Sequence, residues 1–241
     1  MTVTEKYEGV WVFSENPAVV NELLSKGRDL SGKLGTHLVA AVLGEDVSEV
    51  SKNIIAYGAD RVYTVQDPAL KTFQVHPYSE VLTQLVQTYR PDVILIGATR
   101  NGLELAPRLA EHLKTGCCTE CSKLDVDTEK KCLIADRLVL GGNLSETLLI
   151  RTRPQIYTVP KGVVQPLPRD ESRTGEIVEV QAKIGESPVK VVERKPKQFA
   201  GVRITEAEAI VSFGRGLKKK EDIPLIEELA KTIKGVVGCS R

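Results

Sequence analysis

Four stretches of this chain carry residue types that could act on a ligand, and the most telling lies near the carboxyl end. Residues 209–216 read Ala-Ile-Val-Ser-Phe-Gly-Arg-Gly, an apolar run that breaks into a Gly-Arg-Gly turn. Residues 221–234 follow with a helical pattern, and 235–241 read Gly-Val-Val-Gly-Cys-Ser-Arg. A strand, a glycine turn, a helix and a second strand make the opening of a nucleotide-binding unit, where backbone N–H groups approach phosphate. One such unit cannot cover both faces of a parallel sheet. The expectation is a second domain cut short at Arg241, its remainder removed or supplied by another chain.

A second small-residue turn stands at Gly97-Ala98-Thr99, between an apolar run and a helix striped by Leu103, Ala106, Ala110 and Leu113. Anions bind in such places. The turn lacks G-x-G-x-x-G and the lysine of a P-loop, so a tight connection without a ligand is an equal reading. Cys118-x-x-Cys121 is the third feature. A structural zinc site needs a second ligand pair at short spacing. Only Cys132 follows nearby, and His37, His76 and His112 are scattered. A thioredoxin-like pair sits at a helix N-terminus, whereas this pair enters a segment of strand character. Five cysteines without a secretion signal favour free thiols. The fourth feature is Arg151-Thr152-Arg153-Pro154-Gln155. On a strand, both arginines would share a face and could hold a phosphate or carboxylate, or guard a solvated edge.

The elements that position these groups alternate. Val10–Phe13 is an apolar strand, and Asn16-Pro17 opens a helix by the cap-then-proline rule. His37–Leu43 is a second strand, Val47–Tyr57 a helix stopped by Gly58, and Arg61–Val65 a third strand. Tyr78–Tyr89 is helical, Pro91 breaks it, and Asp92–Ile96 is a fourth buried strand. Continuous apolar strands separated by amphipathic helices give an α/β fold, a mostly parallel, doubly wound sheet. From 117 the pattern shortens to strands at 117–126, 132–140, 145–152 and 155–159. Gly141-Gly142-Asn143 is a hairpin signal, so antiparallel additions to the sheet edge are expected. Residues 161–208, with four prolines (Pro166, Pro168, Pro188, Pro196), read as a surface connector with strands near 176–182 and 189–193.

The net charge of +1 supplies no field for nucleic acid, and few aromatics are available for base stacking. No run reaches the roughly 18 apolar residues of a membrane span. The amino end has no basic-then-apolar signal, which makes a cytoplasmic (or mitochondrial-matrix) location the expectation.

The ordered set Tyr57-Gly58-Ala59-Asp60, Pro77-Tyr78, Gly97-Ala98-Thr99, Leu105-Ala106-Pro107-Arg108-Leu109-Ala110, Gly116…Cys121, Gly141-Gly142-Asn143, Thr152-Arg153-Pro154-Gln155, Gly214-Arg215-Gly216-Leu217 and Gly238-Cys239-Ser240-Arg241 resembles the electron transfer flavoprotein alpha subunit. The resemblance implies an N-terminal α/β domain, residues 1–195 with its connector, which pairs with a beta subunit. It implies that residues 196–241 begin an incomplete FAD-binding domain. Electrons would pass between a dehydrogenase and an acceptor through FAD, in some members with flavin-based electron bifurcation. By the same resemblance Arg215 would face the flavin or its pyrophosphate, and Ser240 and Arg241 would lie near the ring. An arginine cation there would favour the reduced, anionic flavin and raise its potential. FAD would be bound by the complete domain and by the beta subunit, and not tightly by these 241 residues alone, whose segment beyond about 200 would be poorly packed. The strands at 145–159 with their arginines would lie at the partner surface. Two other readings are a stand-alone adenine-nucleotide-binding domain and a thiol enzyme using the cysteines at 117–121.

Overall fold

The computed structural model describes residues 6–127, 129–130, 132–195, 204 and 207–239. It divides into two compact units, Met1–Pro188 and Val189–Arg241.

The first unit opens as strand β1 (Val10–Phe13), helix α1 (Pro17–Leu34) and strand β2 (Leu38–Gly44). Asn16 caps α1, its side-chain oxygen accepting from the Ala18 amide at 3.0 Å, with Pro17 at the first helical position. Gly35, at φ 64°, ends the helix in the left-handed region, which glycine enters without a Cβ penalty. The chain continues as α2 (Ser48–Ala56), β3 (Arg61–Gln66), α3 (Val75–Tyr89), β4 (Val93–Gly97) and α4 (Arg100–Leu113). Then come the two-residue β5 (Cys117–Cys118), β6 (Cys121–Asp127), β7 (Cys132–Val139), β8 (Leu144–Leu149), β9 (Gln155–Val159) and β10 (Glu176–Glu179).

Seven of these strands form one sheet in the order β10-β3-β2-β1-β4-β9-β5, with every pairing parallel. Side chains alternate across it, as period two demands. Val10, Val12, Leu38, Ala40 and Val62 join one core with α1 and α2. Trp11, Phe13, Val39, Ala41, Tyr63 and Ile94 join the other with α3 and α4. The sheet is thus covered on both faces, the doubly wound arrangement expected.

The antiparallel addition is present as a separate sheet, β6-β7-β8, rather than as edge strands of the parallel one. Leu124, Leu133 and Ala135 bury against the same core as α1, so this small sheet covers part of that face. The Tyr157 hydroxyl donates to the Leu133 carbonyl at 3.1 Å, and the Leu133 amide donates to the Gln155 side-chain oxygen at 2.8 Å. Residues 155–159 differ from expectation: β9 is parallel, buried at every position, and inserted between β4 and β5. The stretch 117–126 is likewise two strands, β5 and β6, broken by a turn with Glu120 at φ 56°.

The expected connector begins inside the first unit. β10 pairs with β3, and Val178, Val180, Ala182 and Ile184 pack on the α3/α4 core. Lys183 and Gln84 exchange hydrogen bonds of 2.9 and 2.6 Å. The strand expected near 189–193 does not form, and Val192 there is 96% exposed. Its β-branched composition finds no ladder, and propensity without a partner does not make a strand.

The second unit holds β11 (Ile210–Phe213), α5 (Ile223–Thr232) and β12 (Val236–Cys239). β11 and β12 pair in parallel, with Phe213 opposite Cys239. α5 begins with Pro224 in its first turn, and its Ala230 is buried.

Candidate functional site

The parallel register of β11 and β12 brings both carboxyl ends to one edge of their sheet. The Gly214-Arg215-Gly216 turn leaves from that edge, closed by the Leu217 amide donating to the Gly214 carbonyl at 3.1 Å. Arg215 is exposed. A Cβ at Gly216 would meet nothing within 4 Å, so the turn opens onto free space. An exposed guanidinium beside an unfilled glycine turn, at the carboxyl end of parallel strands, is where a dinucleotide's phosphates dock in doubly wound units. Ser240 and Arg241 lie outside the described residues.

The turn at 97–99 is built differently. A Cβ on Gly97 would sit 2.5 Å from Val19 Cγ1, and one on Gly102 would sit 1.8 Å from the Gly97 carbonyl oxygen. Gly102 lets α4 press onto the end of β4, and Gly97 leaves room there for Val19 of α1 and for Ser14. Two of the amides at this turn are already used. Ala98 N–H donates to the Val159 carbonyl at 2.8 Å, and Gly102 N–H to Thr99 Oγ1 at 2.9 Å. These residues favour the tight connection over a phosphate site, and with it they weaken the stand-alone nucleotide domain.

Arg151 and Arg153 do not share a strand face, because 151–154 is an irregular link where one sheet's ladder stops and the other's starts. Arg151 is exposed, whereas Arg153 forms an ion pair with Asp92, their side chains only 25% and 17% exposed. Burial pushes the Asp92 carboxyl above the usual carboxylate range, opposed by the Arg153 charge. The carboxylate that sequence reasoning left open for Arg153 is therefore internal. The available signal was Asp92 itself, a charged residue opening an otherwise apolar strand.

The cysteines at 117–121 split across the parallel sheet. Cys117 packs on the α3/α4 core, and burial pushes its thiol up to about 12. Cys118 and Cys121 lie in the opposite core, Sγ to Sγ 3.5 Å. Cys121 donates to Cys118, which lowers the Cys118 pKa and raises that of Cys121. All five cysteines are free thiols, and no group of three or more metal-ligating side chains occurs among the described residues. A groove of about 770 Å3 between α2 and residues 169–175 is lined by both signs of charge, among them Glu49, Lys52, Arg169 and Glu171. It has no converging charge of one sign.

Comparison with known proteins aligns these two units with two family models. One described as an electron transfer flavoprotein domain matches residues 10–184, and one described as an electron transfer flavoprotein FAD-binding domain matches residues 203–241. The chain is 38% identical to the electron transfer flavoprotein subunit alpha of Thermoanaerobacterium thermosaccharolyticum, over 98% of this chain and 73% of that protein. It is 36% identical to the subunit of the same name in Clostridium acetobutylicum, again over 98% and 73%. It is 32% identical to the lactate dehydrogenase (NAD(+),ferredoxin) subunit LctC of Acetobacterium woodii, over 98% of this chain and 58% of that protein.

Proposed function

The chain belongs to the electron transfer flavoprotein family as an alpha subunit, and from this we propose that it works in a heterodimer that passes electrons between dehydrogenases and an acceptor through FAD. The observation that carries the reading is the open Gly-Arg-Gly turn at the carboxyl edge of β11 and β12, inside the segment matched to the FAD-binding domain. The residues present suit the cofactor: an exposed cation for the pyrophosphate or ring, a glycine turn with free space, and parallel strand ends. When bound, FAD supplies reversible electron transfer. The protein's part is to hold it and set the charge around it. We assign Arg215, Ser240 and Arg241 to that task, within a cofactor-binding region spanning 196–241 that follows a subunit-pairing domain spanning 1–195.

A beta subunit is the implied partner. We place its contact on β8 and the β7–β8 hairpin, because Leu138, Leu140 and Leu144 are 62%, 72% and 57% exposed there. Exposed leucines clustered at one tip mark an interaction surface. β9, included in the expected 145–159 surface, is buried in the parallel sheet and is not available. Among the described residues no helix is long and apolar enough to cross a membrane, and we propose a cytoplasmic location. The LctC relative, named for NAD(+) and ferredoxin, supports electron bifurcation as one form of the activity.

The test is co-production with a beta subunit, followed by size-exclusion chromatography and flavin absorbance with and without NADH. A complex with stoichiometric flavin that Arg215→Ala depletes is the expected result. A complex whose flavin content is untouched by Arg215→Ala would remove Arg215 from the site. A chain that stays monomeric would overturn the subunit reading.

A further inference from the structure

We propose that Cys118 and Cys121 are a hydroperoxide-responsive dithiol that closes to a reversible disulfide across the junction of the two sheets. Cys118 ends β5, the edge strand of the parallel sheet, and Cys121 begins β6 of the antiparallel sheet. Their sulfurs stand 3.5 Å apart, both side chains buried at 1% and 0% exposure. Bond formation needs the sulfurs to close from 3.5 Å to about 2.0 Å. The turn between them, with Glu120 in the left-handed region, already folds the chain back on itself.

The other two thiols of the first unit are placed where they do not compete. Cys117 faces the other core. Cys132 pairs with Asp127 at the far end of the β6–β7 ladder, whereas Cys121 pairs with Arg137 at the near end.

The pair also has an electrostatic bias. Arg137 reaches Thr119 Oγ1 at 3.5 Å, and its positive charge, shared with its ion-pair partner Glu146, is a small contribution toward thiolate at Cys118, while burial holds Cys117 protonated and the hydrogen bond to Cys118 holds Cys121 protonated. The hydrogen bond from Cys121 selects Cys118 as the first to ionise. Access comes from β5 itself. It is two residues long and hydrogen-bonded to β9 alone within the parallel sheet. Short edge elements open at small fractions of the global unfolding energy.

The chemistry balances with one hydroperoxide. The Cys118 thiolate attacks the peroxide oxygen and the O–O bond breaks. The departing oxygen takes a proton and leaves as water or alcohol, and Cys118 becomes a sulfenic acid. Cys121 then gives up its proton and attacks the Cys118 sulfur. The S–O bond breaks and water leaves. Two thiols are oxidised by two electrons, and the peroxide is reduced by the same two. A small dithiol reverses the bridge by exchange.

The inference is independent of the flavin assignment, and its test uses no flavin. The full chain is treated with hydrogen peroxide, unfolded, labelled with iodoacetamide and cut with trypsin. The peptide 115–123 carries Cys117, Cys118 and Cys121 together. The expected product is lighter by two hydrogen atoms before labelling and carries one label, which fragmentation places on Cys117. Dithiothreitol before labelling restores three labels. Cys117→Ser keeps the bridge, and Cys118→Ser and Cys121→Ser each abolish it. Should a serine variant fail to fold, the label position in the unaltered chain decides. Three labels after peroxide, a bridge that includes Cys117, or Cys118 found as sulfinic acid with Cys121 free would each overturn the proposal.

Discussion

Replacing Arg153 by methionine should destabilise the first unit by an amount that depends on pH. Arg153 is the ion-pair partner of Asp92, and the two side chains are 25% and 17% exposed. Removing one member of a fully buried pair costs about 3–5 kcal/mol, because the other charge stays behind unpaired. Water still touches both groups here, so about 2–3 kcal/mol is the expected loss at pH 7. The sign follows from Asp92. Its folded pKa already lies above the ordinary value because of burial, and the Arg153 charge is what opposes that burial. Without the guanidinium the folded pKa climbs further. A carboxyl with a raised folded pKa leaves stability intact below its unfolded pKa and takes stability away as pH rises through the folded one. The deficit of Arg153→Met is therefore largest at neutral pH and shrinks as the solution is acidified. Trp11, the single tryptophan, is 2% exposed on β1, next to β4, and its fluorescence reports unfolding of this unit alone. Urea titrations at pH 7 and pH 5 give the comparison. In an Asp92→Asn background the arginine change should lose most of its effect, since no buried charge remains to be stranded. A loss under about 0.5 kcal/mol at pH 7, or an equal loss with and without the Asp92→Asn change, would refute the reasoning.

Gly102→Ala should destabilise the first unit by about 2 kcal/mol or more, because its Cβ would fall 1.8 Å from the Gly97 carbonyl oxygen and force α4 off β4; thermal unfolding at the wild-type temperature would count against this packing account. Thr99→Ala removes the cap on the Gly102 amide, at a cost of about 1 kcal/mol that Thr99→Ser should largely recover in the same denaturation assay. Arg215→Ala in a flavin-loaded complex should weaken FAD retention by about tenfold to a hundredfold, the worth of one charge-assisted hydrogen bond; equilibrium dialysis measures it. Leu138→Ser with Leu144→Ser should weaken association with a beta subunit while leaving the Trp11 unfolding curve unchanged, because both leucines are already in water in the isolated chain.

The first four strands and their helices are legible in sequence because each states its own role. Runs such as Val93–Gly97 are apolar throughout, as strands covered on both faces must be. Asn16-Pro17 and Gly35 mark the ends of α1 by local chemistry alone. β9 does not announce its place. Gln-Ile-Tyr-Thr-Val reads like the antiparallel strands before it, and only the completed sheet shows that it lies between β4 and β5. The stretch Val189–Glu193 reads as a strand and is not one, since no neighbour offers it a ladder. At the candidate site the Gly-Arg-Gly turn was readable because glycine and arginine constrain both the backbone and the ligand chemistry. The Cys118-x-x-Cys121 spacing was visible in sequence, but the split of Cys117 and Cys118 between opposite cores was not, and the Arg153–Asp92 pair required the fold because it joins segments 61 residues apart.

The outer strands of the parallel sheet have a consequence for how the chain is made. β10 closes the β3 edge through the Glu176–Arg61 pairing, 115 residues apart in sequence. At a synthesis rate of roughly 5–20 residues per second, the β3 edge waits about 6–23 s for its cover. During that time Val62, Tyr63 and Val65 present a bare hydrogen-bonding rim on a nascent chain, the kind of rim to which another strand adds. β5 waits in a similar way, since its one partner in the sheet, β9, emerges after the whole antiparallel hairpin. While it is being made, the chain thus carries a four-stranded sheet with bare rims at β3 and β4, and the late strands β10 and β9 are what cover those rims before synthesis ends.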